Sequence, residues 1–228
     1  MRLRRGLPLA GLMVASVALA QNFWVKEYTQ WTDSEVRKLL IDSPWAAETK
    51  KAVAMAVLMQ SRNTADRGGG PGAVAPRGLD RGQGSAQIEI TLRISWQSAL
   101  PIRMAFVRSR VGPGAAVIPP DMEQLLKMDP QEYIILVTGM PIRQARAIET
   151  TAASKKSSIH VGKRPPILAR STELQPRSET VDVVLRFPRS QPITLDDKEI
   201  EVFLTLGPVE AKKKFTLKDM VYNGKLEL

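Results

Sequence analysis

Residues 199–206 and 209–217, EIEVFLTL and VEAKKKFTL, flank Gly207-Pro208, and this arrangement constrains the fold more than any other stretch. A two-residue loop with glycine where a positive φ is required reads as the turn of a β-hairpin. The register it imposes sets Glu201 opposite Lys214, Ile200 opposite Phe215 and Leu204 opposite Ala211. Charged and apolar faces then match across the strands, which is the pairing that stabilises a sheet. Lys212 and Lys214 become outer rungs of that sheet, whereas Lys213 falls on the opposite face with no evident partner.

The same period of two recurs in QIEITLRISW, where Ile88, Ile90, Leu92, Ile94 and Trp96 share a face, and in TVDVVLRF, where Val181, Val183, Leu185 and Phe187 do. EYIILVTG reads as a buried strand. AVAMAVLMQ, residues 52–60, fits strand or helix, and the alternation of Val53, Met55, Val57 and Met59 favours strand. Asn223-Gly224 provides a type I′ turn at the end of the chain.

Helices are marked by caps and prolines. Thr32 with Glu35 three residues on forms a capping box, Trp31 is placed to staple onto Val36, and Pro44 ends this helix near Asp42. Ser98 is the expected cap of a helix over 98–110. Pro119-Pro120 opens another that Asp129-Pro130 stops, and Pro141 opens one running to about Ser154, with Ala145, Ile148 and Ala152 inward. Residues 155–179 are basic and punctuated by proline, and are expected to run irregularly over the surface with at most a short strand at Ile159–Val161. Six or so strands, mostly hairpin-linked, with short helices inserted, predict an α+β domain built on a largely antiparallel sheet.

The first twenty residues, MRLRRGLPLAGLMVASVALA, read as a signal peptide: Arg2, Arg4 and Arg5 precede a short apolar run, and Ala18-Leu19-Ala20 fits the small-residue cleavage rule. The mature chain is expected to begin at Gln21. Residues 21–62 then carry the first helix and strand, residues 63–85 a flexible loop rich in Gly and Pro, and residues 86–228 the remainder of a single α+β domain. Cleavage removes three arginines and lowers the formal net charge from +10 to +7 over 208 residues. No later apolar run approaches membrane-spanning length. The absence of cysteine means that the fold relies on its core without disulfides.

A basic balance often signals nucleic acid, but export, scattered arginines and only five Phe and three Tyr argue against that partner. Another envelope protein or an anionic envelope surface suits the charge better. Catalytic motifs are scarce. The single histidine, His160, lies among Lys155, Lys156, Lys163 and Arg164 and reads as a surface residue, and no G-x-S-x-G elbow accompanies it. With no cysteine and one histidine a zinc site has no ligand set, and no phosphate-binding glycine motif follows a strand, so neither metal nor cofactor is expected. Asp196, Asp197 and Glu199, with Glu201 beyond, form the one acidic cluster, and two such carboxylates could serve as acid and base in glycoside cleavage or bind calcium. Trp24, Trp31 and Trp45 could stack on sugars, although their places at helix ends and in a segment close to the leader point to packing.

DSPWA after a short capped helix, the WQSALPIR junction and the tail from FPRSQPITLDDKEIEVFLTLGPVEAKKKFTLKDMVYNGKLEL resemble a family of uncharacterised exported bacterial proteins. The resemblance covers most of the mature chain and implies export and a shared domain, with no activity, cofactor or catalytic residues to carry over. Two readings of function stand. One is a non-catalytic binding or scaffolding module, periplasmic or secreted. The other is a carbohydrate- or peptidoglycan-directed hydrolase working through Asp196, Asp197 and Glu199.

Overall fold

The computed structural model describes residues 23–54, 87–115 and 117–228. The expected leader (1–20), the glycine-rich loop (63–85) and residues 55–60 of the expected first strand lie outside them. The fold is α+β, mostly sheet, with all strand pairs antiparallel.

Five strands make the larger sheet, in the order β1-β2-β3-β7-β6: β1 is Ala46–Ala54, β2 Gln87–Trp96, β3 Glu132–Pro141, β6 Ser171–Pro176 and β7 Thr180–Pro188. Four strands make the second, β5-β4-β8-β9, with β4 Ser158–Val161, β5 Ile167–Leu168, β8 Glu199–Leu206 and β9 Val209–Thr216. A small hairpin, β10 (Val221–Tyr222) and β11 (Lys225–Leu226), ends the chain. Its turn has Asn223 at φ 48° and Gly224 at φ 77°, the pair of left-handed residues that a type I′ turn demands.

The apolar faces of the two large sheets share one core, in which the ring of Trp96 meets those of Phe215 and Tyr133 edge-on at 5.7 and 5.9 Å. Helix α1 (Asp33–Ile41), α2 (Leu100–Val111) and α3 (Pro120–Lys127) pack near the β1–β2 end, and α4 (Ile142–Ala145) and α5 (Thr150–Lys156) follow β3.

The β8–β9 hairpin has the expected register, with Glu201 opposite Lys214, Ile200 opposite Phe215 and Leu204 opposite Ala211. Its ion pairs run diagonally instead, Lys214 to Glu199 at 2.8 Å and Lys212 to Glu201 at 2.9 Å. Lys213 is half-buried and lines a cleft of about 430 Å³ beside Trp24 and Asp42. The α1 capping box forms as expected, with the Thr32 hydroxyl accepting from the Glu35 N–H and the Glu35 carboxylate from the Thr32 N–H.

Several expectations are corrected. The first strand begins at Ala46, six residues earlier than residue 52, because it pairs along the whole of β2. Ser98 does not cap α2: its hydroxyl accepts from the Ile134 N–H across to β3, and Ala99 occupies the cap position. The helix expected from Pro141 to Ser154 is two short helices, since β3 continues to Pro141 and the chain turns at Arg146 and Ala147. Ala153, not Ala152, is the buried alanine of the second, beside buried Ser154. The basic connection over 155–179 contains three strands, of which β6 was concealed by the absence of clean alternation and by its place at a sheet edge. The six or so expected strands are thus eleven among the described residues, in three sheets.

Candidate functional site

The face of the larger sheet turned away from the shared core carries a groove. Alternation puts Arg93 and Ser95 of β2 on that face, directly across from Thr138 and Leu136 of β3. Leu136 is in turn opposite Val184 of β7, which is buried. Beside this floor, α1 presents Val36, Leu40 and Ile41, and α2 presents Phe106. Together they enclose a groove of about 670 Å³, open on one side. Its wall is apolar for the most part, and polar groups are placed at intervals around it, the pattern of a small-molecule site.

The groove's electrostatics centre on Arg108. Its side chain is only 2% exposed, yet its sole ion pair among the described residues is a long one, 3.4 Å from Nη1 to Asp33 Oδ1, and that carboxylate is 80% exposed. Arg108 Nε has no acceptor among the described residues. A guanidinium taken out of water is costly unless its donors and charge are met. Arg103, five residues earlier on the same helix, is the better partnered of the two, although its Nε also has no acceptor among the described residues. Its Nη1 donates to the carbonyls of Leu125 and Met128, each at 2.7 Å, and so closes the end of α3. Burial lowers the Arg103 pKa, against the attraction of Glu227 and Asp129.

The other arginines of the groove are engaged or exposed. Arg93 bonds Glu48 at 3.2 Å, and Arg177 bonds the buried Asp182 at 2.7 Å. Arg37 is exposed and has no ion pair among the described residues.

None of the residues singled out in the sequence lies in this groove. Trp31 and Trp45 are fully buried, so neither has an exposed face to offer a sugar or a partner. Trp31 Nε1 donates to the Lys26 carbonyl at 3.1 Å, and Trp45 Nε1 to that of Glu227 at 2.9 Å. The acidic cluster does not converge on a cleft. Asp197 Oδ2 accepts from Arg164 at 2.7 Å and from the Thr194 N–H at 2.9 Å, as the cap of a single helical turn. Asp196 is exposed, and Glu199 is held by Lys214.

His160 lies in the short strand expected around Ile159–Val161, less exposed than a surface residue. It sits half-buried in β4 with its ring 4.4 Å from that of Phe203, and its Nε2 lies 2.9 Å from Ser158 Oγ. A serine–histidine pair of this kind needs a carboxylate to orient the imidazole. Glu201, opposite His160 in register, gives its carboxylate to Lys212. Among the described residues no hydrogen bond joins His160 to an acid, and the Ser158–His160 bond is a contact within one strand while the imidazole packs across to Phe203 of β8.

The sequence did contain a sign of the groove. EYIILVTG and TVDVVLRF carry large apolar residues, Ile134, Leu136 and Val184, on the face that alternation would otherwise leave to water. A strand apolar on both faces asks for a cover on each. Comparison with protein-family models, with curated proteins and with solved structures finds no match to this chain.

Proposed function

We propose that the protein is an exported, non-catalytic binding module of the bacterial cell envelope, periplasmic or secreted, and that it binds through the groove between α1, α2 and the β2–β3 face. The observation that carries this reading is the contrast between two places in the molecule. The groove combines an apolar wall with a buried, under-partnered arginine, whereas the acidic cluster spends Asp197 and Glu199 on structural contacts. Binding needs the first arrangement, and acid–base hydrolysis needs two carboxylates facing one substrate. Export rests on the leader-like first twenty residues and on the resemblance to exported bacterial proteins, both read from sequence. Among the described residues no helix is long and apolar enough to cross a membrane.

The test is complementation of a deletion strain with two variants of verified fold. Leu40→Glu, which puts a charge into the groove wall, is expected to reproduce the deletion phenotype. The triple change Asp196→Asn, Asp197→Asn, Glu199→Gln is expected to behave as wild type. A folded triple variant that behaves as a null, with Leu40→Glu fully active, overturns the binding-module reading in favour of the hydrolase. N-terminal sequencing of protein from the envelope fraction should give Gln21; Met1 there overturns the cleaved leader.

A further inference from the structure

We infer that the groove takes a small amphipathic carboxylate, one acid head on an apolar chain, with Arg108 as the residue that receives the head. The inference rests on the groove being the binding surface and goes on to name what it binds.

Charge sets the head group. Four arginines and two aspartates line the groove, and Glu48 offsets Arg93 from outside it. Arg177 is matched by Asp182 at 2.7 Å. That leaves the buried Arg108 with a long contact to Asp33, and Arg37 exposed at the rim. The deficit inside the groove is about one negative charge, which fits a monoanion. A phosphate monoester, carrying close to two charges at neutral pH, would meet Asp33 and Asp182 with only the exposed, solvated Arg37 at the rim left for its second charge. The fork of a guanidinium also matches a carboxylate in two parallel hydrogen bonds, which an exposed aspartate held at 3.4 Å by one nitrogen does not use.

Shape sets the body. Val36, Leu40, Ile41, Phe106 and Leu136 form an apolar lining without a second buried cation, so the rest of the ligand carries no charge. A volume of about 670 Å³ lies within the range of small-molecule pockets, and suits a medium-length chain better than a large ring system or a folded protein surface. Arg108 reaches this place because α2 turns it inward, on the side of the helix opposite exposed Arg110.

Decanoate is the probe, titrated calorimetrically into the protein with decanol as its uncharged match. Saturable binding of one decanoate per chain is expected, with decanol at least tenfold weaker. Arg108→Met should weaken decanoate at least tenfold, and Arg108→Lys should restore part of the loss. Because a change at a buried arginine can disturb the fold, Leu40→Glu is the second variant and should abolish binding. In the wild-type protein, decanoate-induced NMR shifts should gather in residues 33–41, 93–95, 100–113 and 134–138. The inference is overturned by any of four results in folded protein: no saturable binding, decanol equal to decanoate, unchanged affinity in Arg108→Met, or shifts centred elsewhere. A short peptide with an apolar C-terminal residue that binds more tightly than decanoate also overturns it, in favour of a protein's end. Failure here with Leu40→Glu still null in cells would discard the carboxylate and keep the groove as the binding surface.

Discussion

Trp45 donates its indole N–H to the main-chain carbonyl of Glu227, 2.9 Å away across 182 residues of sequence, and both groups are buried. The same Glu227 turns its carboxylate to the N–H of Leu100, at 3.2 Å, where α2 begins. One residue just past the last hairpin thus holds the loop after α1 and the first turn of α2 together. A carboxylate at a helix N-terminus also meets unpaired N–H groups and the positive end of the helix dipole.

Replacing Trp45 should therefore cost stability in two separable parts. Trp45→Ala removes a fully buried indole, and is expected to cost about 3–5 kcal/mol. Trp45→Phe keeps much of the volume but orphans the Glu227 carbonyl, which should still cost about 1–3 kcal/mol. Urea unfolding of both variants reads the two amounts. A Trp45→Ala protein as stable as wild type would mean that the indole is not enclosed.

Local signals and long-range ones were unequally visible in the sequence. The capping box at Thr32 and Glu35, the hairpin register around Gly207 and the Asn223-Gly224 turn are written within a few residues, and each has the expected form. The β6 strand was not legible because an edge strand needs little alternation, and the Ser98 hydroxyl was misassigned because its acceptor role lies 36 residues away. The outer-face residues Ile134, Leu136 and Val184 hinted at a covered face, but the place of Arg108 in the groove was hidden for the same reason. Arg108 looks like any surface arginine until α2 is laid over β2 and β3, and the helix's contacts are set by tertiary packing, not by spacing along the chain. Trp31 and Trp45 attract notice because tryptophan is rare, yet rarity does not tell an enclosed ring from a presented one.

Asp196 and Asp197 are adjacent but should respond very differently. Asp196→Asn alters an exposed side chain and is expected to be within about 0.5 kcal/mol of wild type. Asp197→Asn weakens both the bond to Arg164 and the cap on Thr194, and should cost about 1–2 kcal/mol. Thermal unfolding separates them. Equal stability of the two variants would show that the Asp197 contacts contribute nothing, and would leave its carboxylate free for another use.

Two glycines are held by their backbones. Gly207, at φ 61°, turns the β8–β9 hairpin so close to α4's exit that an added Cβ would lie 2.7 Å from the Ala147 carbonyl oxygen. Gly139, at φ 87°, occupies the irregularity in β3 where the register against β7 shifts, and its Cβ would lie 2.5 Å from the Thr91 carbonyl oxygen. Both obstacles are main chain, so relief requires movement of a strand or a turn. Gly139→Ala and Gly207→Ala should each cost about 1–3 kcal/mol. Gly224→Ala is the control, because only the left-handed φ opposes it and its Cβ meets open space, and it should cost less than either. The prediction fails if Gly224→Ala proves the most damaging of the three.

Glu35 gives the chain a pH dependence of known sign. The Lys26 ammonium, 2.8 Å from its carboxylate, is the main cause that holds its pKa below the ordinary 4.5, and the Thr32 N–H adds to this. The unfolded chain therefore binds this proton more readily than the folded one, and the contribution is complete above the unfolded value and is lost as pH falls through the folded one. Both side chains are partly exposed, so the pair should be worth only about 0.5–1 kcal/mol. Glu35→Gln should lower the melting temperature at pH 7 by about 1–4 °C. Its difference from wild type should then shrink steadily between pH 5 and pH 3, as the wild-type carboxylate takes up its proton and the two side chains become alike in charge. Melting curves of both proteins over that range make the comparison. A gap that stays constant from pH 7 to pH 3 would show that Glu35 acts through its shape and hydrogen bond to Thr32, and not through its charge.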